Sequence, residues 1–266
     1  MQALNRIMPH FDSLVDFTEK GIPIDEDTLD EQVLYFKSVL QYMTSFSAAH
    51  EMLGLSFFYQ GKVDQAEDSL NKAIESNPET FWFYYNLGVF YYKKKDFVKS
   101  VESFQKALGC DPKKTITFMA SSKIYLPIFL ASKLDLNNEM SKRLQEGYSW
   151  AYRFMIDSYL RQRDYQNVLN VAIIGIQSGL DRKDIYHYYA GMAAYHLKDF
   201  KTAVYYLQES LKENSNYSET FYYLGLSVQA AGKEDIARSF LERAKNLKTP
   251  HDALQEELNK KELQIY

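Results

Sequence analysis

Two stretches decide the fold: HEMLGLSF at residues 50–57 and YYNLGVFY at residues 84–91. They align without a gap, and each residue lies 34 positions from its partner. Leu53-Gly54 falls on Leu87-Gly88, with a ring three residues before each Leu and another three residues after each Gly. The register holds downstream, where Ala66, Leu70, Ala73 and Pro78 fall on Ser100, Phe104, Ala107 and Pro112. Each period therefore reads as two helical stretches of roughly 14 residues with apolar positions at 3.6 spacing. The small residues let the paired helices approach closely, and the prolines mark the passage to the next unit. One such pair cannot bury its apolar face alone, so the pairs must stack.

The frame extends along the chain. Leu224-Gly225 with Ala237, Leu241 and Ala244 is a third good unit, and Ala190-Gly191 with Ala203 and Leu207 is a fourth. Counting from Gly88 by 34 lands on Ser122 and then Ile156, each flanked by rings: Phe118 and Tyr125, Tyr152 and Tyr159. One extra residue falls in Leu180-Asp-Arg-Lys-Asp184. Six units result, at 47–80, 81–114, 115–148, 149–183, 184–217 and 218–248. The unit at 115–148 is degenerate, because Leu134, Asn138 and Ser141 replace its small-bulky-small signature and Pro127 removes an amide donor. It is the expected weak point of the stack.

This pattern resembles the tetratricopeptide repeat family, whose 34-residue unit has the same signature. The resemblance covers about 200 residues and implies an all-α, right-handed superhelical solenoid of about six helix pairs. Residues 1–46 then form an N-terminal helical cap and 249–266 a C-terminal capping helix. In the first cap, an early helix is expected through Leu4 to Phe17, and Thr28-x-x-Glu31 reads as a capping box before a helix to about Thr44. Thr249-Pro250 reads as an N-cap with proline at the first helical position, followed by a mostly charged helix from Asp252 to Gln264.

Composition agrees with stacked helices. Of 266 residues, 46% are apolar and 25% charged; Gly (11) and Pro (6) are scarce, while Tyr (22) and Phe (17) are abundant. Few breakers and many rings suit helices packed through large side chains. The formal charge is −4, which argues against a chain built to neutralise nucleic-acid phosphates. Cys110 is the only cysteine, so neither an internal disulfide nor a cysteine zinc site can form. With no apolar leader pattern and no stretch near 18 apolar residues, a reducing, cytoplasmic setting without membrane insertion is expected.

Signs of chemistry are sparse. No glycine-rich phosphate loop occurs, nor HExxH or CxxC. His50 and His187 share the fourth repeat position, a packing slot. Asp135-x-Asn137-x-Glu139 lacks the glycine and terminal glutamate of a calcium loop. No enzyme activity, metal or cofactor is expected.

The resemblance also implies where a partner would sit. In the family, the first helix of each unit lines a concave groove through positions 2, 5, 6, 9, 12 and 13. Read here, that groove carries Tyr59, Trp82, Tyr85, Asn86, Tyr92, Trp150, Arg153, Phe154, Tyr188, Tyr189, Tyr195, Tyr222 and Tyr223. Members that dock chaperone tails hold a carboxylate with lysines and asparagines; Glu51, Leu55, Ile116 and Ala120 replace four of those places, and only Asn86 matches. The expected role is a scaffold or adaptor that binds an amphipathic helix or extended peptide from another protein. A peptide-sensing regulator with residues 1–46 as effector is the alternative, and self-association or a groove filled in cis also fits. Trp82 and Trp150 are 68 residues apart, two repeat lengths, and both are expected to be part-exposed on the groove as partner contacts.

Overall fold

The computed structural model describes residues 26–122, 136–214 and 217–247. These residues hold twelve helices and no strand. α1 (Glu26–Tyr42), α2 (Ser47–Tyr59), α3 (Val63–Ser76), α4 (Phe81–Lys93), α5 (Phe97–Leu108) and α6 (Pro112–Ser121) come first. α7 (Leu136–Arg161), α8 (Tyr165–Gln177), α9 (Lys183–His196), α10 (Phe200–Glu213), α11 (Ser218–Ala230) and α12 (Glu234–Asn246) follow. They fall into two compact units, one up to Leu144 and one from Gln145.

Within each unit every helix packs chiefly on its sequence neighbours. In the first, α2 lies on α1 and α3, and α4 on α3 and α5; in the second, α9 lies on α8 and α10, and α11 on α10 and α12. This is the all-α helix-pair architecture that the 34-residue spacing implies. The glycines at the eighth repeat position make the close approach. A Cβ at Gly88 would stand 2.9 Å from the Phe104 ring, and one at Gly191 only 2.5 Å from Leu207 Cγ. Where the frame reaches Ile156, the opposing place holds Ala172 instead of a Leu or Phe, and both are fully buried. The large and small partners have changed sides, so the layer keeps its volume.

The turn inside each pair repeats one backbone device. Gly61, Lys95, Arg163, Lys198 and Gly232 all have φ between 57° and 78° and occupy equivalent places in five units. After each non-glycine comes an aspartate that caps the next helix. Asp96, Asp164 and Asp199 accept from the backbone N–H of Lys99, Asn167 and Thr202 at 3.1–3.2 Å. After Gly61 and Gly232 the cap residue is Lys62 or Lys233, with no side-chain cap bond. The sequence thus uses either a relaxed turn or a good cap at each site.

Several boundaries differ in detail from the expectation. α1 begins at Glu26, so Thr28 lies in its first turn. α6 stops at Ser121, with extended backbone at Ser122. α7 runs unbroken through Ser149, where a new unit was expected to start. The helices expected at Leu4–Phe17 and Asp252–Gln264 lie outside the described residues, as do Pro127 and Leu134.

Candidate functional site

The first unit presents α2 and α4 with rings packed into each other. Trp82 is 2% exposed, which corrects the expectation that it stands part-open on the groove. Its indole N–H donates to Met119 Sδ at 3.1 Å, on α6, and Tyr85 meets its ring edge-on at 5.4 Å. The indole therefore bridges successive first helices, because its one polar group finds a partner within the stack. Tyr85 also packs on Phe81 and Phe104, and Tyr92 packs on Phe97; both tyrosines are buried. Tyr59 is half-buried beside Phe58.

Between α2 and α4 lies a buried polar pair. Asn86 Nδ2 donates to Glu51 Oε1 at 2.8 Å, and neither side chain reaches water. Burial pushes the Glu51 carboxyl up to about 8, against a smaller opposing effect of the Asn86 hydrogen bond. Sequence reading placed Glu51 on the inner face only as a mismatch to the chaperone-docking pattern and gave it no role. The signal was its 35-residue separation from Asn86, one repeat plus one.

In the second unit the expected residues separate into two groups. Arg153, Phe154, Tyr188 and Tyr189 are buried. Trp150 is half-buried, with the Arg153 guanidinium 4.8 Å over its ring and Phe154 at 6.4 Å. Arg153 also faces Asp181 at 3.7 Å. The other group is partly exposed. Tyr222 is 47% exposed, and Tyr195 and Tyr223 are half-buried. Tyr223 is the hub: its ring lies 5.5 Å from Tyr195, 5.5 Å from Tyr222, 5.7 Å from His196 and 6.3 Å from Tyr188.

Two members of this cluster were outside the expected set. His196 sits at the thirteenth repeat position, at the end of α9, and is exposed. In the structure its ring stacks on Tyr165 at 4.2 Å with 12° between planes, and burial lowers its pKa. Tyr165 opens α8, a second helix, so a list drawn from first helices alone could not contain it. The stack and the edge-on contacts hold the rings against one another, so the patch is preorganised.

Elsewhere the groups suited to chemistry are occupied or passive. Burial, with a smaller effect of Glu79, pushes the Cys110 thiol up to about 11, which leaves it protonated and a poor nucleophile. His187 faces Glu213 at 3.7 Å, and burial lowers its pKa. Among the described residues, no three His, Cys, Asp or Glu side chains are placed to hold a metal ion. No described helix is long and apolar enough to cross a membrane.

Residues 51–114, which include the Glu51–Asn86 and Trp82 layers, match the family profile described as Tetratricopeptide repeat. Residues 51–114 carry tetratricopeptide repeats. Solved tetratricopeptide-type structures share its fold across most of their length. YrrB, described as a TPR protein with an unusual peptide-binding site, superposes with a TM-score of 0.57 at 12% identity, covering 84% of this chain and 97% of YrrB. PilF from Pseudomonas aeruginosa gives 0.55 at 12% identity, covering 98% of this chain and all of that one. MamA gives 0.54 at 14% identity over 83% and 97%. No curated protein matches the sequence.

Proposed function

We propose that this tetratricopeptide repeat chain is a non-catalytic adaptor that binds a segment of another protein on the aromatic patch of its second unit. Tyr165, Tyr195, His196, Tyr222 and Tyr223 form the recognition surface. The observation that supports this reading is a partly exposed cluster of mutually packed rings from α8, α9 and α11, four of which, Tyr195, His196, Tyr222 and Tyr223, hold positions that line the groove in the resembled family. A tyrosine in contact can bury about 150–250 Å², and its hydroxyl supplies a polar handle. Tyrosine also gives contact area at small cost in side-chain entropy, which is why it dominates binding hot spots. YrrB, which shares the fold, is described as having an unusual peptide-binding site, which supports the class of ligand.

Trp82, Tyr85 and Asn86 are not part of this surface in the proposal, because they are filled layers of the stack. Trp150 flanks it as a half-buried ring braced by Arg153.

Photo-cross-linking tests the assignment. Tyr222 is replaced by p-benzoylphenylalanine in one variant and Tyr205 in another; Tyr205 is 57% exposed on the second helix α10 and serves as the control. The proposal expects one protein cross-linked at 222 and not at 205. Tyr222→Ala with Tyr223→Ala should then weaken that protein's binding by about 2 kcal/mol or more, with helix content unchanged. Equal capture at both positions, or unchanged affinity in the double variant, overturns it.

A further inference from the structure

The ring patch of unit two differs from other rings of the chain in what lies over it. Elsewhere the chain seats its own cations on aromatic faces. Lys37 Nζ stands 5.4 Å from the centre of the Phe57 ring, Lys94 Nζ 5.1 Å from Phe90 and Lys99 Nζ 5.0 Å from Tyr91. In unit two the Arg153 guanidinium lies 4.8 Å over Trp150, and that of Arg243 lies 4.6 Å over Phe221. Among the described residues, no lysine or arginine lies over Tyr165, Tyr195, Tyr222 or Tyr223. Part of this cluster nonetheless meets solvent: Tyr222 and His196 are exposed, and Tyr195 and Tyr223 are half-buried.

The charge that does act on these rings is negative. Glu219, Tyr222 and Tyr223 stand at i, i+3 and i+4 of α11, on one side of the helix. Glu219 is half-buried, and its Oε2 accepts from the Ser218 hydroxyl at 3.0 Å. Burial first, then neighbouring phenols, then Glu219 raise the pKa of Tyr223 and of the buried Tyr188. Each of these influences opposes a negative charge, and none comes from a lysine or arginine. Burial alone lowers the pKa of His196, so that ring is neutral at pH 7. The cations nearest in sequence are Arg161, Arg163 and Lys198. Arg161 donates to Asp157 at 3.1 Å, while Arg163 and Lys198 lie exposed in turns. Aromatic faces are the negative part of the ring quadrupole. A cluster of them beside a carboxylate, with no cation of its own, is complementary to a positive side chain.

We propose that the patch recognises a basic side chain of the partner segment, arginine or lysine, seated over the Tyr222 and Tyr223 rings with Glu219 as its counter-ion. This rests on the patch as the docking surface and adds the chemistry of what docks there. A basic side chain suits such a site on two counts. Its alkyl stem covers apolar surface, and its head finds ring faces and a carboxylate together. Arg153 on Trp150 and Arg243 on Phe221 show the same contact made within the chain. A segment that offered a carboxylate at this place would meet repulsion from Glu219 and from the ring faces.

The probe is a phage library of random twelve-residue peptides, selected on the full chain at pH 7.5. Each selected peptide is then tested on the chain carrying Tyr222→Ala and Tyr223→Ala. The expected set depends on the two tyrosines and shares one arginine or lysine position. Fluorescence anisotropy compares such a peptide with a neutral twin, citrulline for arginine or acetyl-lysine for lysine. The twin should bind about tenfold more weakly. Glu219→Gln should weaken the basic peptide by about threefold or more and leave the neutral twin nearly unchanged, a split that general damage to α11 would not produce. Tyr222→Leu keeps apolar bulk without the ring and should also narrow the gap between the twins, with thermal melts reporting on the fold. Peptides that depend on Tyr222 and Tyr223 but share no basic residue, or that bind as well when neutral, overturn this inference and leave the recognition patch standing. Binding unmoved by the tyrosine substitutions, or no selected peptide at all, overturns the patch and this inference together.

Discussion

Replacing Glu51 by Gln should remove a pH dependence of stability that the buried carboxyl imposes. Glu51 is held at about 8 in the folded chain against 4.5 for a free glutamate. Between these values the folded state binds the proton and the unfolded state does not. Stability therefore declines as pH rises through this window, and is greatest below the unfolded value. The difference of about 3.5 units corresponds to about 5 kcal/mol across the full span, at about 1.4 kcal/mol per unit. That figure is a ceiling, because an ionised Glu51 draws water and relaxes its surroundings. Gln keeps an acceptor for Asn86 Nδ2, which donates to Glu51 at 2.8 Å, and carries no proton to lose. The assay is urea denaturation at pH 5, 6, 7, 8 and 9, followed by fluorescence in a Trp150→Phe background so that Trp82 reports on the first unit. The parent should lose several kcal/mol between pH 5 and 8, while the Glu51→Gln chain loses much less and is the more stable above pH 8. Parallel curves for the two chains would refute the argument, as would a parent whose stability rises through this range.

Two further changes test the packing and the turns. Gly191→Ala should cost about 1–3 kcal/mol by thermal denaturation, because its Cβ would meet Leu207 Cγ at 2.5 Å and the Leu207 backbone nitrogen at 3.0 Å. Gly54→Ala should cost less, since its Cβ would stand farther off, 2.9 Å from Leu70 Cγ and 3.2 Å from the Ala66 carbonyl oxygen. Lys198→Gly should raise stability by up to about 1 kcal/mol by relieving φ at 63°, and Lys233→Asp by about 1 kcal/mol by supplying the cap that Asp199 already provides.

The helix pairs were readable because their cause is local and repeated. Leu-Gly at 53–54, 87–88 and 224–225 must face a bulky residue sixteen positions on, and the structure places Leu70, Phe104 and Leu241 there. Even the exchange of sizes at Ile156 and Ala172 lies in the sequence, once the two places are compared together. Which rings would be open was not readable. The repeat frame gives Trp82 and Trp150 the same direction, yet their burial depends on what lies beside them. Met119 takes the Trp82 N–H, whereas Trp150 has the Arg153 guanidinium over its ring and stays half-buried. Tyr165 and His196 were missed for a related reason. Their stack joins the start of a second helix to the end of the next unit's first helix, and no single-helix periodicity encodes such a pair.

The one irregular spacing in the frame leads to the proposed recognition patch. The extra residue falls in Leu180–Asp184, where Arg182 and, just before the segment, Gly179 both adopt positive φ. Arg182 turns its side chain onto Asp184 at 3.3 Å and onto the Tyr217 hydroxyl at 2.6 Å, while that hydroxyl donates to Asp184 at 2.9 Å. Ser210 donates to the Asp184 backbone carbonyl at 2.9 Å. Tyr217 is the residue before α11, so this network fixes the start of the helix that carries Tyr222 and Tyr223. Burial raises the Tyr217 pKa, Asp184 adds to it, and the hydroxyl stays a donor through the physiological range. Tyr217→Phe removes both hydroxyl bonds and leaves the ring. It should cost about 1–2 kcal/mol of stability, since one of the two bonds goes to a carboxylate and the other comes from a guanidinium. It should also weaken partner binding although residue 217 is outside the ring patch, because a looser α11 must be ordered on association. Asp184→Asn tests the charge alone and should show a smaller loss in both readouts. Hydrogen exchange over residues 217–224 distinguishes positioning from general damage: faster exchange confined to this stretch, with weaker binding, is the expected outcome. Unchanged protection there with full affinity would show that the patch holds its geometry without the network.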